Sequence, residues 1–226
     1  MKGRKLTKRE MKEDAFVTFA FRASDFIKKH RGKVIAGVAT AILAGASYTY
    51  ITSSRTGAAE AASEQLLAGM IQQRRENYTG AVAAYEGVLS RFSGTPSGKL
   101  ALLYLGHARY ELKQYDVAAE AYERYLGREK RDRLTMSHAK RGLAACRENT
   151  DRFQEAAELY EQTARQLDEG AAVPEDLMAA ARCWKLAGRP EKAVEILQEI
   201  IDSYPDFRDL DRARVFLAEL EYSTSR

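Results

Sequence analysis

The residues of this chain that could do acid–base, nucleophilic or metal chemistry are few, and their spacing argues against each. The three histidines, His30, His107 and His138, stand alone in sequence. None falls in a His-Glu-x-x-His pattern, which would place two imidazoles and a general base on one helix face. No glycine-rich loop precedes a helix to cradle phosphate, and no strand-to-helix elbow presents a serine. The adjacent carboxylates Asp168-Glu169 and Glu175-Asp176 sit where helices are expected to end or begin, positions that solvate or cap. The two thiols, Cys146 and Cys183, lie 37 residues apart. The sequence therefore yields no catalytic residue, no metal site and no cofactor, and a non-enzyme is expected.

Composition narrows the class further. With 45% hydrophobic and 30% charged residues, the 226-residue chain is neither disordered nor collagen-like. Two cysteines cannot build a disulfide scaffold, and a mean hydropathy of −0.45 excludes a polytopic membrane protein. The net charge of +4 is an average over two unlike parts. Residues 1–33 hold eleven Lys and Arg against four Asp and Glu, a net +7. Residues 56–226 hold 24 basic and 28 acidic side chains, a net −4.

Between Lys33 and Arg55 lie 21 uncharged residues, Val34 to Ser54. As a helix they reach about 31 Å, close to the ~30 Å hydrocarbon core of a bilayer. Tyr48 and Tyr50 stand near the far end, where aromatic rings favour the interface. Gly37, Ala41 and Gly45 recur every four residues and form a stripe against which another helix can pack. Ala44-Gly45-Ala46 also resembles a signal-peptide cleavage site, with cleavage after Ala46. A 33-residue charged region before the apolar run, and a run of full spanning length, favour an uncut anchor. Lys and Arg resist translocation, so the arm is expected inside the cytoplasm and the remainder outside it.

The arm has a pattern of its own. Thr7 and Glu10 read as a capping box, and Phe16, Phe19, Ala20, Ala23, Phe26 and Ile27 then recur at helical spacing. A basic amphipathic helix beside a span is expected to lie on the anionic inner leaflet, or to dock its Phe face on a partner membrane protein. Its acidic residues and the tether argue against nucleic acid.

Beyond Ala58 one motif returns four times: Tyr78-x-x-Ala81-x-x-x-Tyr85, Tyr115-x-x-Ala118-x-x-x-Tyr122, Phe153-x-x-Ala156-x-x-x-Tyr160 and Pro190-x-x-Ala193-x-x-x-Leu197. The shifts are 37, 38 and 37 residues. A small residue stands nine positions before each: Gly69, Gly106, Ala144 and Ala181. A constant period of this length marks stacked supersecondary units. Turns within units are expected at 75–77, 113–114, 149–151 and 187–189, and between units at 93–96, 127–132 and 169–174.

These residues resemble the tetratricopeptide repeat, a helix-turn-helix unit with Leu-Gly on its first helix and Ala followed by an aromatic on its second. Leu105-Gly106, Tyr110, Tyr115, Ala118 and Tyr122 match it best; Pro190 and Leu197 depart from it in the fourth copy, and Ala68 before Gly69 in the first. The resemblance covers residues 58–207 and implies an all-α fold. An N-terminal amphipathic helix and a single transmembrane helix would precede an α-solenoid of about four repeats, closed by a C-terminal capping helix. The expected divisions are 1–33 (arm), 34–54 (span), 55–62 (linker and start of the first repeat helix), 63–207 (repeats) and 208–226 (cap and tail). Cys146 and Cys183 fall at matching points of successive repeats. They are expected as small buried residues, and a bond between them would need Cα atoms within about 7 Å.

The resemblance also implies a concave groove lined by the first helix of each repeat. Its expected residues are Leu66, Met70, Gln73 and Arg74; Leu103, His107, Tyr110 and Glu111; His138, Arg141 and Glu148; and Met178, Arg182 and Lys185. Co-chaperone members of the family grip a C-terminal carboxylate with Lys and Asn, where Leu66 and Met70 stand here, so a different protein ligand is implied. The whole arrangement resembles single-span, translocon-associated bacterial tetratricopeptide repeat proteins. It implies an inner-membrane scaffold with periplasmic repeats that bind a membrane complex, a chaperone or an unfolded polypeptide. The alternative is a structural subunit of one stable envelope complex. The oligomeric state is not legible.

Overall fold

Short turns and helical periodicity build a chain of helices. The computed structural model describes residues 24, 28–166 and 172–224. Among these residues the regular structure is entirely helical: α1 (Arg31–Arg74), α2 (Tyr78–Phe92), α3 (Pro96–Glu111), α4 (Tyr115–Arg128), α5 (Arg133–Asn149), α6 (Phe153–Gln166), α7 (Ala172–Leu186), α8 (Pro190–Ser203) and α9 (Leu210–Thr224). The capping box and Phe face of the arm, and the Asp168-Glu169 pair, lie outside the described residues. The chain divides into two units, Met1–Gly57 and Ala58–Arg226.

In the first unit, residues 34–54 are helical and exposed, apart from Val34 and Thr52, which are half-buried. This helix is long and apolar enough to cross a membrane. Its threonines suit that role because their hydroxyls are satisfied within the helix. Thr40 donates to the Ala36 carbonyl at 2.8 Å, Thr49 to Ala46 at 2.9 Å and Thr52 to Tyr48 at 2.9 Å. A methyl on Gly37 or Gly45 would meet nothing within 4 Å, so the small-residue stripe is open. Residues 55–62, expected to begin as a linker, lie within α1.

In the second unit the helices pair as hairpins, α1 with α2, α3 with α4, α5 with α6 and α7 with α8, and α9 packs on α8. Each hairpin turns in the same way. The backbone N–H of Asn77, Gln114, Arg152 and Arg189 donates to the carbonyl five residues earlier, at 3.0, 2.9, 2.8 and 2.9 Å. The residue before each has positive φ: Glu76 (59°), Lys113 (58°), Asp151 (57°) and Gly188 (72°). This is the Schellman termination, in which one left-handed residue lets the chain satisfy the last carbonyls. Only the fourth copy uses glycine, so three repeats carry a side chain in a conformation that disfavours one. Lys113→Gly is expected to raise stability by about 1 kcal/mol, the steric relief outweighing the added unfolded-state entropy. Gly188→Ala should lower it by a similar amount. Urea midpoints at constant slope measure both.

The anchors of the repeat explain the close packing. A methyl on Gly69 would lie 2.5 Å from the Tyr85 ring, and one on Gly106 would lie 2.8 Å from Tyr122. The absent side chain is thus what lets each aromatic of the second helix seat against the first. Between units, Thr95 caps α3 by accepting from Gly98 N–H at 3.0 Å, with Pro96 at the first turn. Asp132 caps α5 by accepting from Leu134 and Thr135 at 3.1 and 3.2 Å. The loop before α5 folds onto Glu129, whose carboxylate pairs with Lys99 and accepts from the N–H groups of Lys130, Arg131 and Asp132. Lys99 and those amides hold the Glu129 carboxyl down at about 2.

Contacts between repeats recur with the same period. Glu86 pairs with Arg109 and Glu123 with Arg147; at the next interface Glu161 accepts from the Trp184 indole N–H at 2.9 Å. Cys146 and Cys183 are buried free thiols, pushed up to about 12 by burial. That chemistry suits packing rather than nucleophilic attack.

Candidate partner-binding groove

The first helices α3 and α5 stand side by side, and the space between them is a cavity of about 610 Å³. Leu103, Tyr104, His107, Tyr110 and Glu111 line it from α3, and Thr135, His138, Arg141, Gly142 and Ala145 from α5. Gln73 enters from α1, and Tyr122 and Tyr160 from the second helices α4 and α6. Every third or fourth residue of a first helix thus faces the same side, as the repeat geometry requires.

Of the residues expected on the groove, Gln73, Leu103, His107, Tyr110, Glu111, His138 and Arg141 come together here. Leu66 does not: it is 7% exposed and packs in the core with Ala81, Val82 and Tyr85. Met70 packs against the same cluster, because the first repeat has no preceding hairpin and uses these positions to close its own hairpin. Arg74 is exposed in the last turn of α1 and lines neither cavity. Met178, Arg182 and Lys185 line a different cavity, of about 660 Å³, with Phe207, Arg212 and Phe216 from the α9 side. Glu148 lines neither, because the Arg182 guanidinium donates to both its oxygens, at 2.8 and 3.0 Å.

Electrostatically the α3–α5 cavity is balanced. Arg141 Nε donates to both oxygens of the buried Asp176, at 2.7 and 2.9 Å. His107 lies 3.8 Å from Glu111, and its other ring nitrogen is 3.3 Å from the Gln73 amide. Burial is the main cause that raises the Tyr110, Tyr122 and Tyr160 hydroxyls above the ordinary phenol value, so all three stay protonated. The arrangement offers aromatic walls with neutral polar tips, which hold a protein segment rather than activate one. Among the described residues no three His, Cys, Asp or Glu side chains gather as a metal site.

Tyr122, Tyr160 and Gly142 were not among the residues expected on the groove. The signal for Gly142 was present: Tyr104 and Ala179 stand at the matching points of the neighbouring repeats, so the glycine interrupts the period.

Two family models described as tetratricopeptide repeat match the chain, one over residues 66–133 and the other over 177–206. No curated protein matches it. Among solved structures, the nearly identical TPR-like repeats assigned to a kinesin light chain of Podosopora anserina are 19% identical, with a TM-score of 0.60, covering 72% of this chain and 86% of that one. The apo form of RapI is 16% identical, with a TM-score of 0.62, over 71% of this chain and 48% of that one. MamA is 18% identical, with a TM-score of 0.51, over 70% and 96%. At these identities the likeness concerns the fold alone. With the period, the Schellman turns and the glycine–tyrosine seats in place, the matched stretches of the second unit are tetratricopeptide repeats, which indicate a protein-interaction scaffold.

Proposed function

We propose that this chain is a non-enzymatic, membrane-tethered scaffold whose repeats hold a protein partner outside the cytoplasm. The α3–α5 cavity carries the reading: it is aromatic, uncharged in balance and formed by side chains from five helices. The tether is the apolar part of α1, and the +7 arm before it supports a cytoplasmic N-terminus. A basic arm, one span and repeats together resemble proteins that attend a translocation channel, so the partner is a chaperone or an emerging polypeptide. The host membrane is then the inner membrane, and the repeats are periplasmic.

The test uses the full chain in cells. A photo-crosslinking residue at position 107 should capture a partner, and one at Glu158 on α6 should not. Tyr110→Ala should weaken the capture at 107 with the fold intact. A cysteine at position 60 should react with a membrane-impermeant reagent once the outer envelope is permeabilised. Equal capture from positions 107 and 158 would remove the groove, and protection of position 60 until lysis would reverse the topology. Stoichiometric recovery with a single complex would instead identify a fixed structural subunit.

A further inference from the structure

The first helices begin and the second helices end at one edge of the repeats, because each hairpin turn lies at the other edge. α1 meets this edge early in the second unit. Arg91, in the last turn of α2, donates to Gln65 of α1 at 2.7 Å, and the unit begins at Ala58. Ala58 is four residues past Ser54, the end of the apolar run, and four residues reach at most about 14 Å. Chain length alone therefore keeps this edge near the end of the span. The loop between α4 and α5 stands on the same edge. The Arg128 guanidinium donates to the Ser93 carbonyl, just past the end of α2, at 3.3 Å. Both acids of this loop are already engaged: Glu129 is buried against Lys99 and three backbone amides, and the Asp132 carboxylate caps α5. Arg128, Lys130 and Arg131 are exposed, and among the described residues none of them makes an ion pair. The Lys130 ammonium donates only to the Leu126 carbonyl, at 3.3 Å. Leu134, in the first turn of α5, is 62% exposed beside them.

We propose that residues 128–134 are a lipid-docking site, in which Arg128, Lys130 and Arg131 bind the phosphates of anionic headgroups beside the end of the span and Leu134 enters the interface among them. The inference rests on the membrane tether proposed above and adds a second point of attachment, which holds the repeats against the surface. Charge complementarity selects the occupant. Each Lys or Arg near an anionic surface adds about fivefold to the affinity, and the attraction extends about 10 Å at ordinary salt. An apolar side chain among cations suits a peripheral contact, since the cations stay with the headgroups while the leucine is buried. The last loop on the same edge, residues 204–209, sets Asp206 and Asp209 against Arg208 alone, so the attraction centres on 128–134.

The test uses the full chain reconstituted in vesicles, with an NBD fluorophore on Gly127→Cys, a position where an added side chain meets nothing within 4 Å. The buried Cys146 and Cys183 stay unlabelled in the folded chain. About a tenth of the lipid carries a nitroxide on its headgroup. Quenching should be about threefold greater with one-third phosphatidylglycerol than with phosphatidylcholine alone, and 0.5 M NaCl should remove the difference. Lys130→Gln with Arg131→Gln removes two cations, so docking should weaken about 25-fold and quenching should fall to the neutral-lipid level. Leu134→Ser should lower quenching in the anionic vesicles at an unchanged melting temperature. Arg74→Gln with Arg75→Gln removes the same charge from exposed positions at the opposite edge and should leave quenching as it was. Equal quenching in the two lipids, or an equal loss in the Arg74 and Arg75 variant, would overturn the proposal. Absence of quenching in both would overturn it as well and leave the loop to an acidic protein segment. If the chain in such a case still floats with the vesicles after alkaline carbonate, the tether stands and only the docking site falls. If carbonate extracts the chain, the tether reading itself fails.

Discussion

Replacing Trp184 with alanine is expected to cost the repeat domain about 3–5 kcal/mol, the range for emptying a fully buried large aromatic site. Trp184 is 1% exposed and is the largest of the fully buried side chains. It stands where the two preceding interfaces use Arg109 and Arg147, so this one exchanges an ionic contact for a ring with a polar edge. The indole N–H is taken by Glu161, and the Lys192 ammonium sits 3.8 Å from the ring centroid. Alanine would remove the ring and the indole donor, leaving the Glu161 carboxylate with Arg165 at 3.5 Å. Stacked repeats are stabilised by nearest-neighbour interfaces, so the loss should be local. Urea unfolding followed by circular dichroism should therefore show α7, α8 and α9 melting ahead of the remaining hairpins. Trp184→Phe keeps most of the apolar volume and should cost about 1–2 kcal/mol. A loss below about 1 kcal/mol for the alanine variant would mean that the site collapses and that the interface does not depend on the ring.

What could be read in the sequence was what repeats. Gly106 and Tyr122 announce a close approach because both recur at a fixed interval, and the structure seats one against the other. The four hairpin turns were visible for the same reason, although only Gly188 carries the residue type that a left-handed turn favours. Glu76, Lys113 and Asp151 show that the termination is imposed by packing of the two helices, which overrides local preference. The groove was legible to a lesser degree, because a periodic position fixes a face and not a neighbour. Leu66 has the register of a groove residue but lies in the first hairpin, where it is drawn into the core. Arg182 and Met178 have the same register at the other end, where α9 takes the place of a further repeat and makes a separate cavity. Tyr122 recurs as the aromatic of the repeat, and it lies in the core. That it also lines the groove, close against Gly142, follows from a departure from the period whose meaning exists only in three dimensions.

Arg141→Met should destabilise the chain by about 3 kcal/mol at neutral pH, since it leaves the carboxylate of Asp176 buried without its cation. Asp176 is 4% exposed, and both its oxygens accept from Arg141 Nε. Burial pushes its carboxyl above the ordinary carboxylate value, while Arg141 and, more weakly, His138 pull it back and Glu175 adds to the rise. Without Arg141 the folded-state value climbs further, and the unfolded value does not change. A carboxyl whose folded value lies above its unfolded one binds more protons in the folded chain, so stability rises as pH falls. The deficit of Arg141→Met relative to the parent should therefore be largest near pH 7 and shrink as pH approaches the ordinary carboxylate range. Adding Asp176→Asn to the same variant should recover much of the loss at neutral pH, because a neutral amide needs no counter-charge. A deficit that stays constant across that pH interval, with no rescue by Asp176→Asn, would assign the loss to the packing of the Arg141 stem between α5 and α7. Arg141 would then act on the groove as a wall, and its charge could be removed without changing which segments the cavity accepts.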